Sequence, residues 1–285
     1  MDALAETVCP ACGARMDAPF CAACGEKRFD HHSLSLAHFF EHAFEAFAHF
    51  DGAIFRTLRT LVARPGRLTA DYVRGCRKPY LAPVQLFLLM NVLYFAATAV
   101  NGWNTLNTDL RTHVTGTWHA SVAKSMVLKK LASTGVSEAE YVKAFDAKSG
   151  TKAKSLVILM APVFALLVAA VRLRRKRYFV EHLVFSVHFY AFFLLLFAIS
   201  TSVTTLVVAG LSGVGARPGD AALDQVTSSI TLAIWWVYLS VAMAETGTRG
   251  RARAAAQGLA LTIGVVGVLY LYRFLLFLVG YFTTA

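Results

Sequence analysis

The chain predicts an all-α membrane protein: a five-helix transmembrane bundle with interfacial amphipathic helices and a small N-terminal cysteine ribbon. Three observations carry this expectation. Of 285 residues, 56% are apolar and only 16% are charged, whereas an average soluble domain carries about 25% charged residues. Five long stretches are almost free of charge, and two C-x-x-C-G knuckles stand near the amino terminus. With 19 Gly, 7 Pro and 5 Cys, the chain is too apolar to be disordered and too poor in these residues to be collagen-like or disulfide-rich. A net charge of +11 suits nucleic acid or an anionic membrane surface. The apolar runs decide for the membrane.

The expected order is a ribbon over 1–30, amphipathic and basic interfacial helices over 31–80, and a transmembrane bundle over 81–285. The spans fall at about 81–100, 155–171, 183–211, 225–244 and 258–282, long enough or nearly so to cross about 30 Å of hydrocarbon. The second has 17 residues and spans only with little tilt; the third has 29 and is long enough to tilt strongly. Lys and Arg number 10 in residues 1–80, 5 in 172–177 and 3 in 249–253, against 8 in the 101–154 loop and Arg217 alone in 212–224. The positive-inside rule then places the N-terminus in the cytoplasm and the C-terminus outside. Lys148, Lys152 and Lys154, close to the second span, run against this. The first 30 residues lack the basic stub and apolar core of a secretory signal.

Cys9-Pro-Ala-Cys12-Gly13 and Cys21-Ala-Ala-Cys24-Gly25 supply four thiolates on short loops that can converge on one tetrahedral ion. Structural Zn2+, one per chain, is the expected cofactor, and Arg15, Lys27 and Arg28 are placed to offset the thiolate charge. About 30 residues bury too little for a core of their own, so the metal supplies most of the folding free energy. Disulfides fit badly with a reducing compartment; a redox dithiol or an iron site is the remaining alternative. Arg15 is the only basic residue in 1–26. The ribbon is therefore expected to meet a protein partner or the membrane, and no nucleic acid. Cys76 stands alone and reads as a small residue near the membrane.

His31, His38, His42, Glu45 and His49 lie within about 60° on a helix, with Phe39, Phe40, Phe44, Phe47 and Phe50 mostly at other angles. The preferred reading is a polar stripe on an interfacial helix. The sharper one is a second metal or proton site at His38, His42, Glu45 and His49. Next come seven cations, Arg56, Arg59, Arg64, Arg67, Arg74, Arg77 and Lys78, against one acid, Asp71. Ile54, Phe55, Leu58, Leu61 and Val62 give this segment an apolar face. Arg64-Pro65-Gly66 should end that helix, and a short one over 68–74 should run to Gly75. Arg56, Arg59, Arg67, Arg74, Arg77 and Lys78 are the candidate contacts to anionic lipid headgroups.

These residues resemble one group of proteins. The two knuckles, Asp51-Gly52, Phe55-Arg56-Thr57-Leu58, Arg64-Pro65-Gly66, Tyr72, Gly75-Cys76-Arg77-Lys78-Pro79-Tyr80, Pro83 and the run from Glu181 to His188 are similar to a bacterial membrane-protein family. That family is known as a domain of unknown function with an N-terminal zinc ribbon. The resemblance covers most of residues 9–100 and the later spans more loosely. It implies a location in the bacterial cytoplasmic (inner) membrane and no activity.

Ionisable groups inside a bundle are functional candidates by default. Glu181 and His188, seven apart, share a helix face near the cytoplasmic interface, and Arg273 lies deep in the last span. Ser200, Thr201, Ser228, Ser229 and Thr231 are expected at the depth of Arg273, as a hydroxyl layer that either recognises an anion or simply satisfies the cation. Asn91 is expected to bridge helices, and Trp235 and Trp236 to pack. In the outside loop, 118–133 should form a helix stopped at Gly135, and Ser137 with Glu140 should cap a second short one carrying Tyr141 and Phe145. His113 and His119, six apart, form no ligand pattern by spacing alone. No catalytic residue is assigned, since no P-loop, dinucleotide fingerprint, hydrolase elbow or H-E-x-x-H occurs. A membrane scaffold or adaptor leads, ahead of a small-solute or lipid transporter or channel built around Arg273. A metal-dependent membrane enzyme is third.

Overall fold

The structure, a computed structural model, describes residues 7–27, 52–102, 105–172, 178–213 and 220–284. Two strands, β1 (Thr7–Val8) and β2 (Arg15–Met16), precede the helices. The helices are α1 (Ala53–Ala63), α2 (Arg67–Val73), α3 (Pro83–Asn101), α4 (Leu110–Thr115), α5 (Ala120–Thr134), α6 (Glu138–Leu156), α7 (Met160–Val171), α8 (Phe179–Gly213), α9 (Asp220–Glu245) and α10 (Arg251–Thr283). Five helical stretches are long and apolar enough to cross a membrane: Pro83–Asn101, Glu138–Val171, Phe179–Leu211, Leu223–Glu245 and Arg251–Thr283. Large apolar side chains exposed along them, such as Val92, Leu166, Ile199, Leu206, Ile230 and Ile263, are the lipid-facing surface such helices need. The chain forms a multi-pass, all-α membrane body behind a cysteine cluster.

The second crossing differs from its sequence reading. The short helix expected at Ser137 is the 19-residue α6, and a 3-10 turn at Val157–Leu159 carries it without a break into α7. The 17-residue apolar run is thus the end of a 34-residue helical stretch. Continuous hydrogen bonding removes the length shortage, because polar residues of α6 extend the rod beyond the hydrocarbon. Ser137 accepts the Glu140 amide at its start, and Gly135, at φ 68°, ends α5. Helix α4 has no counterpart in the apolar pattern; its signal is local, the Asp109 side chain accepting from the Thr112 amide.

The chain divides into two compact units. The first comprises Met1–Val92, Ala165–Leu195 and Gly219–Thr262. Its core joins Leu61, Leu68, Leu86, Phe87 and Met90 with Val184, Phe189, Tyr190 and Phe193 of α8 and Leu239 and Met243 of α9, all buried. Phe192 stacks on Tyr238 at 3.8 Å and Phe193 on Trp235 at 5.1 Å, so Trp235 packs. Trp236 is 42% exposed and donates to the Ala255 carbonyl.

Proline before Gly66 ends α1 at Ala63. Gly66 then turns at φ 86°, and a Cβ there would sit 2.8 Å from the Ala242 Cα and oxygen. Only glycine meets both demands. The α1–α2 corner is further held by Tyr238 donating to the Leu61 carbonyl (3.1 Å) and Arg67 pairing with Glu245 (3.2 Å). At the start of α3, Gln85 reaches back to the Ala82 amide as a capping residue.

The second unit comprises Leu93–Phe164, Leu196–Pro218 and Ile263–Ala285. Leu110, Ala123, Val127, Tyr141, Phe145 and Phe277 form its buried centre. Tyr272 donates to the Leu106 and Ala153 carbonyls at 3.1 and 3.2 Å, and Lys130 holds the Tyr281 and Thr284 carbonyls at the end of α10.

Candidate metal centre

The ribbon is one motif used twice, twelve residues apart. Cys9 donates its amide to Ala14 and Gly13 donates to Cys9; Cys21 donates to Glu26 and Gly25 to Cys21. Val8 pairs with Arg15, and Phe20 bridges Lys27. Gly13 and Gly25 both take positive φ, 77° and 71°, the turn that lets each second cysteine face back on the first.

The four sulfurs of Cys9, Cys12, Cys21 and Cys24 lie within 4.8 Å of one another. Cys9 and Cys24 are 3.6 Å apart and Cys12 and Cys21 3.5 Å apart, close to the edge of about 3.8 Å that a tetrahedron with 2.3 Å metal–sulfur bonds requires. All four cysteines are free thiols. The donor set therefore fits a four-coordinate metal ion held by sulfur alone. Among the described residues, no other group of three or more metal-ligating side chains comes together.

Proton affinities within the cluster are uneven. Amides of Cys24 and Ala23 stabilise the Cys21 thiolate and, against burial, bring its pKa down to about 7. For Cys24 the Glu26 amide acts in the same sense, but burial and the thiols of Cys12, Cys9 and Cys21 outweigh it and push it up to about 12. Four neighbouring thiols cannot all ionise alone, and a dication removes that conflict. Burial, with Asp71 and Glu26 nearby, raises the Cys76 thiol as well.

Glu26 departs from the repeat: its counterpart in the first knuckle is Ala14. Only 5% exposed, its carboxylate accepts the backbone amides of Arg77 (3.0 Å) and Lys78 (2.8 Å). The ribbon is thereby fastened to the turn before α3. Nothing in the spacing marked Glu26 for this; only the break in the twelve-residue repeat was available as a signal.

The buried Asp71 organises the basic segment beneath. It takes Arg67 at 3.1 Å, Arg74, and the Tyr80 hydroxyl at 3.2 Å. Arg77 lies over the Tyr72 ring at 4.2 Å, and Arg56 reaches the Pro79 carbonyl at 3.4 Å. Of the candidate headgroup cations, Arg56, Arg59, Arg74 and Lys78 are exposed, and Phe55 beside them is 82% exposed. His31, His38, His42, Glu45 and His49 lie outside the described residues.

Glu181 and His188 are buried in the first unit, Glu181 accepting the Tyr178 amide at 3.4 Å and His188 bonding Thr69 at 2.9 Å. Arg273 belongs to the second unit. Thr201 and Ser229 donate to carbonyls one turn back on their own helices. Burial, and with it the charge of Arg273, lowers the pKa values of His113 and His119. The structure thus joins two histidines that spacing left apart, 3.1 Å between Nδ1 of His113 and Nε2 of His119.

Among known families, a model described as a protein of unknown function (DUF3667) matches residues 51–95. That stretch holds Gly66, the Asp71 hub and the amides that Glu26 takes. No curated protein and no solved structure matches the chain.

Proposed function

We propose that this chain is a multi-pass scaffold of a bacterial cytoplasmic membrane, in which a structural zinc ion folds the ribbon and the ribbon engages a protein partner. The observation that carries the reading is the Glu26 carboxylate bonded to both the Arg77 and Lys78 amides. A ribbon fastened in this way presents one fixed face. Val8 and Phe20, equivalent positions immediately before the first cysteine of each knuckle, are 67% and 58% exposed. A partner that covers both gains apolar burial without having to order the ribbon first. The single basic residue among the first 26, Arg15, supports a protein over nucleic acid.

Zinc suits four thiolates in a closed tetrahedron. Free thiols and the distribution of Lys and Arg favour a cytoplasmic N-terminus and an outside C-terminus. Exposed Arg56, Arg59 and Lys78, with Phe55, support contact with anionic headgroups at the same side. A photo-crosslinking residue placed at Val8 or at Phe20 in cells tests the partner. The same protein adduct is expected from both positions and is expected to vanish with Cys21→Ser. Adducts to lipid alone, or none from either position, refute the partner role.

A further inference from the structure

Trp118, just ahead of α5, is 62% exposed, yet its place is fixed. Its indole Nε1 donates to the Tyr270 carbonyl of α10 at 3.4 Å, and its ring lies 5.5 Å from Phe274. Twelve residues on, Lys130 holds the carbonyls of Tyr281 and Thr284. Helix α5 therefore runs beside the end of α10 in the same direction. Tyr270 marks a change of surroundings along α10. Toward the C-terminus, Phe274, Phe277, Leu278 and Tyr281 pack into the core made with α4, α5 and α6. The outer faces of α5 and α6 expose Lys124, Lys129, Glu138, Glu140 and Lys143, charges that require water. Toward the N-terminus, Ile263 and Gly267 are exposed and offer lipid nothing polar.

Helix length puts the edge of the hydrocarbon at the same place. With 33 residues α10 is about 50 Å long, against about 30 Å of hydrocarbon. Counted from the exposed Arg251 at its start, the roughly 20 residues that cross a bilayer end at Tyr270. The second crossing agrees to within a helical turn. Roughly 20 residues back from its end at Val171 lies Lys152, and Tyr272 donates to the neighbouring Ala153 carbonyl at 3.2 Å. Lys148 and Lys154, both exposed, fall near this level, where lipid phosphates are.

We propose that the hydrocarbon ends at the level of Trp118 and Tyr270, that α10 leaves the bilayer from Phe274 onward, and that Trp118 docks the helical domain built there onto the phospholipid headgroup layer. An indole suits that layer, since its ring meets the acyl chains while its N–H keeps a polar partner. Arg273 then stands among headgroups, and not deep in hydrocarbon as its place in the apolar run suggests. This goes beyond the scaffold reading and needs no protein partner.

The experiment uses the full-length protein with its metal bound, in nanodiscs of phosphatidylethanolamine and phosphatidylglycerol. Both faces of a nanodisc are open, so the orientation of the chain does not enter. In a Cys76→Ser background, a charged maleimide probes Ser125→Cys on α5, Thr283→Cys at the end of α10, and Gly267→Cys, where a Cβ meets nothing within 4 Å. The first two should label at least about tenfold faster than Gly267→Cys, which hydrocarbon shields. Tryptophan fluorescence reads the docking. Lipids brominated near the headgroup end of the chain should quench more than lipids brominated near its tail, and the excess should drop in Trp118→Phe. Each readout stands without the other. Thr283→Cys as protected as Gly267→Cys, or quenching unchanged by Trp118→Phe, overturns the proposal. Fast labelling at all three positions overturns it together with the membrane span itself.

Discussion

Replacing Glu26 by alanine removes the one carboxylate oxygen, Oε2, that accepts both the Arg77 and the Lys78 amide, 3.0 and 2.8 Å away. Hydrogen bonds to a charged acceptor contribute about 1.5–3 kcal/mol each. With Glu26 only 5% exposed, solvent substitutes poorly for the lost partner, and the pair amounts to about 3 kcal/mol at the low end. At about 1.4 kcal/mol per factor of ten, the fastened state should lose on the order of 100-fold in population. Hydrogen exchange at the Arg77 and Lys78 amides reads this directly, and both should exchange on the order of 100-fold faster in Glu26→Ala. Glu26→Gln keeps an acceptor without the charge and should fall between. The metal should remain bound in both variants, because no thiolate is touched. Unchanged exchange at Arg77 and Lys78 in Glu26→Ala would show that the carboxylate does not hold the ribbon.

Two further outcomes are expected. Metal binding requires thiolates, so protons compete with it; with the Cys24 thiol pushed up to about 12, apparent metal affinity should drop more than tenfold per pH unit below neutrality. A chelator titration from pH 7.5 to 5.5 measures this, and a flat profile would argue against four thiolate ligands. Gly66→Ala forces a left-handed alanine, at about 1–2 kcal/mol, and sets a methyl 2.8 Å from the Ala242 backbone. A loss of at least about 2 kcal/mol is expected in thermal unfolding in detergent, and a neutral effect would contradict the close approach.

Features that live in local pattern were readable before the structure. Hydropathy announced five crossings because lipid demands about 20 apolar residues at each. Cys9, Cys12, Cys21 and Cys24 declared their chemistry by spacing, and Pro65 with Gly66 marked the corner between α1 and α2. Features that depend on chain return were not readable. His113 and His119 meet because α4 and α5 fold back on each other, and Phe274 and Phe277, more than 150 residues later, pack against them from α10. Glu26 finds its two amides 51 and 52 residues away. The second span looked short because hydropathy sees where apolar residues stop, whereas the helix stops only where backbone bonding does.

The α1–α2 corner also has a timetable. Its partners come late: Thr69 waits for His188, 119 residues on, the Leu61 carbonyl for Tyr238, 177 on, and Arg67 for Glu245, 178 on. At a synthesis rate of about 5–20 residues per second, those separations mean delays of about 6–36 s. During it the corner must be shielded by other means, whether lipid or a chaperone. A chain cut before α9 would never acquire Tyr238 or Glu245, so nascent-chain quality control should discard such truncations early.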